Sequence, residues 1–334
     1  MTRVLLSGGS GFIAAHVLDC LLKRGHSVVV TLRSQAKVDK IKSAYPNIPV
    51  SQLDFAIVED IAQEGAFDEA LKSSVPFEAV IHTASPFHWN ARDVKKDLLD
   101  PAINGTIGIL KATKKNAPMV ITSSFAAMIN SSDQHAPGYT YSEKDWNPVT
   151  MEIATTSPQI GYFASKTFAE KAAWKFCEDE KPNFSVAVIN PVIVFGPITH
   201  SITSLDAINT SNTIIRNLIQ GKITEKLPPS GTFIWVDVRD VALAHVKAME
   251  VPEAGGKRFF LAAGYFSNKK ILEVIRKAYP ELEEKLPSKN SEDDFPSQIF
   301  AIDHSRSEQI LGIEYRSFDA AIIDTVKSLQ EIGA

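Results

Sequence analysis

The sequence predicts an α/β chain built on a doubly wound parallel sheet. Three observations carry that expectation. Short apolar runs alternate with helical patterns through the first 190 residues, a glycine-rich turn joins the first run to the first helix, and runs such as Val28-Val29-Val30 are apolar without interruption. Strands separated by helices imply parallel βαβ units with right-handed crossovers. Uninterrupted apolar strands fit a sheet covered on both faces.

The elements follow in order. Residues 3–7 read as a strand and 12–23 as an amphipathic helix that Gly25 ends. Strands follow at 27–32, 55–58, 79–82 and 119–123, with helices at 35–44 and 67–72 between them and another at 102–115 behind Pro101. A long helix at 162–180 leads to a sixth strand at 185–190. Beyond Pro191 the rhythm breaks. A strand at 233–236, a helix at 240–248, a strand at 258–262 and helices at 268–278 and 320–329 are expected to form a smaller part capping the sheet edge.

Composition bounds the function classes. The 334 residues are 44% hydrophobic and 22% charged, ordinary values for a globular chain that argue against disorder or a disulfide scaffold. The 35 Lys+Arg against 39 Asp+Glu give no basic excess, so nucleic acid is not an expected partner. Two cysteines, Cys20 and Cys177, fit a reducing compartment. No stretch approaches the ~18 apolar residues of a membrane span, and no leader pattern precedes the first strand; a cytoplasmic protein without membrane contact is the expectation. No cluster of side chains has metal-ligand spacing.

Gly8-Gly9-Ser10-Gly11-Phe12-Ile13-Ala14 follows the first strand and opens the first helix. Backbone N–H groups stripped of side chains there can approach a pyrophosphate. The second strand ends in Thr31-Leu32-Arg33-Ser34-Gln35-Ala36-Lys37, without the acid that would bind a ribose 2′-hydroxyl. Arg33 can fork onto a 2′-phosphate and Lys37, one turn on, can add charge, which favours NADP over NAD; the alternative is that both are solvated surface cations. Asp60 either accepts from an adenine amino group, with Ile61 on the ring, or caps a turn. Thr83, Ala84 and Ser85 end the fourth strand, where small residues let a ligand lie close. His82 reads as a hydrogen-bonded structural histidine.

Tyr162 and Lys166 stand at i and i+4 on one helix face. A phenol of pKa ~10 is expected to move toward neutrality beside an ammonium. Ser124, after the fifth strand, would point into the same crevice and donate to a carbonyl oxygen that Tyr162 protonates.

With these motifs in place, the chain resembles the extended short-chain dehydrogenases/reductases, and within them is similar to the yeast NADPH-dependent methylglyoxal/ketone reductases and dihydroflavonol reductases. The similarity also rests on Trp146-Asn147-Pro148, Phe195-Gly196-Pro197 and Asp237-Val238-Arg239-Asp240-Val241-Ala242. The resemblance implies a dinucleotide-binding Rossmann domain over 1–190 (with a contribution from about 232–250) and a smaller C-terminal substrate-binding lobe over 191–334. It implies Ser124, Tyr162 and Lys166 as the catalytic set. Gly8, Ser10, Gly11, Phe12 and Ile13 would form the pyrophosphate loop, Arg33 and Lys37 the 2′-phosphate pair, and Asp60 and Ile61 the adenine site. Pro191 and Val194 would line the nicotinamide, and Ser211 would add a coenzyme contact. Asn104 matches a helix asparagine with a bracing role. Asp237, Arg239 and Asp240 read as a strand end and N-cap.

Two positions depart from those relatives: Phe125 stands where a tyrosine often does, and Gln159-Ile160-Gly161 precedes Tyr162; both are expected to face substrate. Phe87 and Phe125, with Phe163 and Trp89 nearby, are expected to wall an apolar pocket. The activity implied is NADPH-dependent reduction of aldehydes or ketones, by a monomer or by a homodimer paired through helices 102–115 and 162–180. A nucleotide-sugar epimerase or dehydratase with bound NAD, and an NADP-sensing regulator, are the alternatives; Arg33 opposes the first and the intact Ser124–Tyr162–Lys166 set the second.

Overall fold

A computed structural model describes residues 1–85, 91–113, 117–130, 132, 136–199, 202 and 204–334. Among the described residues twelve strands run in chain order: β1 Arg3–Ser7, β2 Ser27–Leu32, β3 Leu53–Ile57, β4 Ala79–His82, β5 Met119–Thr122, β6 Thr140–Tyr141, β7 Val186–Pro191, β8 Ile193–Phe195, β9 Ile234–Asp237, β10 Lys257–Leu261, β11 Gly264–Tyr265 and β12 Ala301–Ile302. Seven of them form one parallel sheet in the order β10-β7-β5-β4-β1-β2-β3. The winding reverses between β1 and β4, whose last residues, Ser7 and His82, are paired. Ligands of open α/β sheets bind beyond the strand ends at such a reversal.

Alternation of side chains explains the two-sided burial. Val4 and Leu6 join a core on one face with Val17, Leu18 and Leu21 of helix Phe12–Lys23 and Val238 and Val241 of helix Val238–Glu250. Leu5, Val29 and Val80 join the opposite core with Ile109 of helix Asp100–Ala112 and Ala173 of helix Pro158–Glu180. Every residue of β2 and β7 is buried.

The elements differ from expectation at identifiable places. The strand expected at 258–262 within the smaller part is β10, the edge strand of the main sheet, paired in parallel with β7 (Arg258 opposite Val188). Its partner lies far away in sequence, where local pattern carries no information. The long helix begins at Pro158 rather than 162, because Ser157 Oγ accepts from Ile160 N at 3.2 Å and Pro158 suits a first turn. The helix expected over 102–115 is Asp100–Ala112, entered through a π-helical turn at Lys95–Leu99; residues 114–116 lie outside the described ones. Asp237 ends β9 and accepts from Arg239 N at 2.8 Å, the strand-end cap that the sequence suggests.

The smaller part has a core of its own. Strands β11, β9 and β8 form a second sheet, and Trp235, Phe195 and Phe266 pack there with Ile215, Leu272 and Ile322. Among the described residues no helix is long and apolar enough to cross a membrane.

Candidate active site

Because the main sheet is parallel, the exits of β1, β4, β5 and β7 share one edge. The glycine turn leaves β1 there. Gly8 holds φ +74°, and a Cβ on it would fall 2.9 Å from the backbone of Ala84. A Cβ on Gly9 would fall 1.9 Å from Val30 Cγ1, so Gly9 lets the turn lie on β2. Gly11 N donates to Gly8 O at 2.8 Å and caps helix Phe12–Lys23 without a side chain. The amides of the first turn are left facing the crevice mouth, the arrangement that receives phosphate. Ser10 and Gly11 are exposed, while the side chains of Phe12 and Ile13 pack on the core, so these two offer backbone only. This cradle, which a Cβ would fill, fits a dinucleotide pyrophosphate. Gly8→Ala is expected to lower stability by ~1–3 kcal/mol from the left-handed backbone, read as a denaturant midpoint, and to weaken coenzyme binding in titration.

Across the switch point, Ser7 clips β1 to β4. Thr83 N and Ala84 N each donate to Ser7 Oγ at 3.2 Å, Thr83 Oγ1 donates to Ser7 O at 2.6 Å, and Ser7 Oγ lies 2.7 Å from His82 Nδ1. With its lone pairs taken by two amides, the hydroxyl donates to Nδ1, which puts the imidazole proton on Nε2. Burial pulls His82 down to about 3, and the Lys166 charge adds to that, so the ring is neutral and structural. Thr83, Ala84 and Ser85 are half-buried beside the glycine turn.

Arg33 and Lys37 are exposed at the end of β2 and in the following helix Gln35–Ala44. Lys37 Nζ donates to Ser10 Oγ at 3.3 Å, which draws that cation to the glycine turn. Arg33 makes no ion pair with a described residue. Asp60 is exposed and its Oδ1 accepts from Ala62 N at 2.9 Å, the turn-capping alternative. The side chain of Ile61 packs in the core against Gly105 of helix Asp100–Ala112, directly beyond Asp60. Asn104, on the same helix, is exposed.

Ser124 ends the exit of β5 and caps the short turn Phe125–Ala127, accepting from Ala126 N at 3.1 Å. Ser124 is near enough to the Tyr162 hydroxyl to lower its pKa, and Lys166 Nζ lies 5.9 Å from the Tyr162 ring centroid. All three side chains are half-buried. Burial raises the Tyr162 phenol, opposed by Ser124, and burial lowers Lys166 to about 8. The sequence reading expected the ammonium to pull the phenol down. At this separation, desolvation wins instead.

Other expected residues fall as follows. Pro191 ends β7 and is buried. Val194 is buried in β8, and its carbonyl accepts from Ser211 Oγ at 2.5 Å; Ser211 Oγ in turn accepts from Asn209 Nδ2 at 2.6 Å. Ser211 therefore keeps one acceptor lone pair for any ligand. Phe125 departs from the expected pocket wall. The turn after Ser124 sends its ring into the core, 3% exposed, stacked on Phe260 at 5.2 Å and edge-on to Tyr141 at 5.3 Å. Of the stretch 159–161, Gly161 is buried, where a Cβ would fall 2.3 Å from Val94 Cγ1, while Ile160 is half-buried and Gln159 exposed. Phe163 is half-buried, 6.1 Å from the Tyr162 ring. Phe87 and Trp89 lie outside the described residues. Sequence reasoning missed a buried acid–base cluster behind Ser124, centred on Glu170 and Arg258; the signal present was Glu170 four residues beyond Lys166.

The chain matches the family described as the NAD dependent epimerase/dehydratase family over residues 4–262. It is 45% identical to a ketoreductase of Aspergillus niger, azaE, across 98% of both chains. It is 41% identical to a protein of Candida albicans named putative NADPH-dependent methylglyoxal reductase GRP2, again across 98% of both. Among solved structures, Gre2 of Candida albicans in complex with NADPH superposes with a TM-score of 0.92 at 37% identity, covering 100% of each chain.

Proposed function

The chain belongs to the NAD dependent epimerase/dehydratase family, and from that premise we propose that it is an NADPH-dependent reductase of aldehydes and ketones. The observation that carries the reading is the convergence of Ser124, at the exit of β5, with Tyr162 and Lys166 on one helix face, at the same sheet edge as the glycine turn. Two relatives matched over 98% of this chain are named ketoreductase and putative NADPH-dependent methylglyoxal reductase, and one similar solved structure is a complex with NADPH. Basic Arg33 and Lys37, where an NAD-binding acid would stand, support the same coenzyme and oppose an epimerase.

When bound, NADPH supplies hydride to the carbonyl carbon. The amides of residues 10–13 hold its pyrophosphate, Arg33 and Lys37 its 2′-phosphate, and Lys166 its nicotinamide ribose. Ser124 orients the carbonyl oxygen by hydrogen bonding. Tyr162 Oη gives that oxygen its proton and is reprotonated from solvent. Both bonds strengthen as negative charge develops on the oxygen, which is what lowers the barrier. A phenol raised by burial keeps its proton at neutral pH, as a proton donor must.

The test is consumption of NADPH with a panel of aldehydes, diketones and aryl ketones, with alcohol identified as product. Absence of turnover across the panel would overturn the reading. The pH profile is expected to have a defined shape. Reduction needs Tyr162 protonated and Lys166 charged; Tyr162 stays protonated above its ordinary range, while Lys166 loses its proton through about pH 8. Thus kcat/KM should be level near neutrality and fall as pH rises through about 8, and Lys166→Met should lower the rate and remove that limb.

A further inference from the structure

Behind the crevice, one carboxylate ties the helix carrying Tyr162 to the strand exit carrying Ser124. Glu170 follows Lys166 by four residues and Tyr162 by eight on helix Pro158–Glu180, so the three share a stripe. The first two reach the crevice, whereas Glu170 is 1% exposed. Its Oε2 accepts from Ser123 Oγ at 2.6 Å and from Asn190 Nδ2 at 2.8 Å. Its Oε1 accepts from Arg258 Nε at 2.5 Å and from Trp174 Nε1 at 3.3 Å. Asn190 Nδ2 also reaches Ser124 O at 3.3 Å. Arg258 is held in turn: Nη1 donates to Glu143 O at 2.9 Å and Asp145 O at 2.6 Å, and the guanidinium lies 3.9 Å over the Trp146 ring.

Ser123 follows β5, Asn190 lies in β7 and Arg258 in β10, so Glu170 bolts the helix to three neighbouring strands. Ser123 turns to Glu170 while the next residue, Ser124, turns to Tyr162. Stability alone does not call for this cluster, because well-packed apolar side chains usually replace a buried ion pair without loss. A satisfied polar cluster does supply fixed direction: each bond has one geometry, and a helix sliding or rotating by a fraction of an ångström would break several together. A misplacement of about 1 Å at reacting groups can cost about a hundredfold in rate.

We propose that Glu170, paired with Arg258 and bonded to Ser123 and Asn190, is a positioning residue that sets the Tyr162–Ser124 geometry for proton transfer. This rests on the carbonyl-reductase reading. The test compares Glu170→Gln and Ser123→Ala with the parent, per mole of folded protein judged by circular dichroism below each melting point. Gln places an amide N–H₂ against the Arg258 donor, and Ala removes one donor to the carboxylate.

Glu170→Gln should lower kcat by about tenfold or more and Ser123→Ala by about threefold, while the Kd for NADPH stays within about twofold. The isotope effect on kcat from NADPH deuterated at the transferred position should rise in both, because the chemical step becomes slower. A purely structural cluster would shift the melting temperature and leave kcat and the isotope effect per folded molecule unchanged; that result overturns the proposal. If Glu170→Gln does not fold, Ser123→Ala decides by the same two readouts. An inactive parent would sink the reductase reading, whereas an active parent with unaltered variants would sink only the positioning role.

Discussion

Replacing Tyr162 by phenylalanine is expected to lower kcat for carbonyl reduction by about 10²–10⁴-fold, the usual span for loss of a general acid. The substitution removes one hydroxyl and leaves the ring in place. That ring is half-buried, with Lys166 Nζ 5.9 Å from its centroid and Phe163 beside it, and none of those contacts needs the oxygen. What is lost includes the hydroxyl's interaction with Ser124, worth ~1 kcal/mol as an ordinary hydrogen bond. Ser124 keeps its bond from Ala126 N at 3.1 Å, so the short turn after β5 should hold its shape. The glycine turn, Arg33 and Lys37 are untouched. Coenzyme titration should therefore give a Kd within about twofold of the parent, and single-turnover kinetics should locate the defect in the chemical step. A variant that turns over at the parent's rate would remove Tyr162 as the proton donor. One that fails to bind NADPH would instead mean that the hydroxyl serves binding.

The parts of this picture legible in the sequence are those fixed by local chemistry. Gly8 and Gly9 can be read because a turn that lies against Ala84 and Val30 excludes any side chain, whatever the remainder of the chain does. Strand β2 can be read because six consecutive residues are buried on both faces. The stripe of Tyr162 and Lys166 follows from helical periodicity alone. The illegible parts depend on where distant segments meet. Strand β10 belongs to the main sheet because of β7, and no local pattern announces that partner. Phe125 follows a serine and precedes two alanines, a context equally suited to a pocket wall; only the arrival of Phe260, Tyr141 and Phe300 makes it core. The packing of Ile61 against Gly105 depends likewise on a distant segment. The direction of the Tyr162 shift was missed because spacing along a helix says that Lys166 is near but not how much water the fold removes. Glu170 was the one missed residue with a local signal, since it extends the stripe of residues 162 and 166 by one more turn.

The second large effect is expected at the other end of the coenzyme. Arg33→Ala should raise the Kd for NADPH by about ten- to a hundredfold while leaving that for NADH within about twofold, because a charge-assisted fork onto phosphate is worth ~1.5–3 kcal/mol before screening. The side chain is exposed and makes no ion pair with a described residue, so its removal disturbs no packing and the change in selectivity is a direct reading of its contact. Exposure also means that salt competes: the ratio of the two Kd values in the parent should shrink as ionic strength rises, and Arg33→Ala should flatten that dependence. Lys37 keeps the discrimination from vanishing. Its Nζ sits 3.3 Å from Ser10 Oγ, at the glycine turn, where it adds a point charge without the bidentate geometry of a guanidinium. Lys37→Ala alone should therefore cost less than Arg33→Ala, and the double variant should bring the two coenzymes close to parity. Fluorescence titration of both coenzymes at two salt concentrations measures all four quantities. Equal losses for NADPH and NADH in Arg33→Ala would place the arginine on a part of the nucleotide common to both, and the preference for NADPH would then have to arise elsewhere in the crevice.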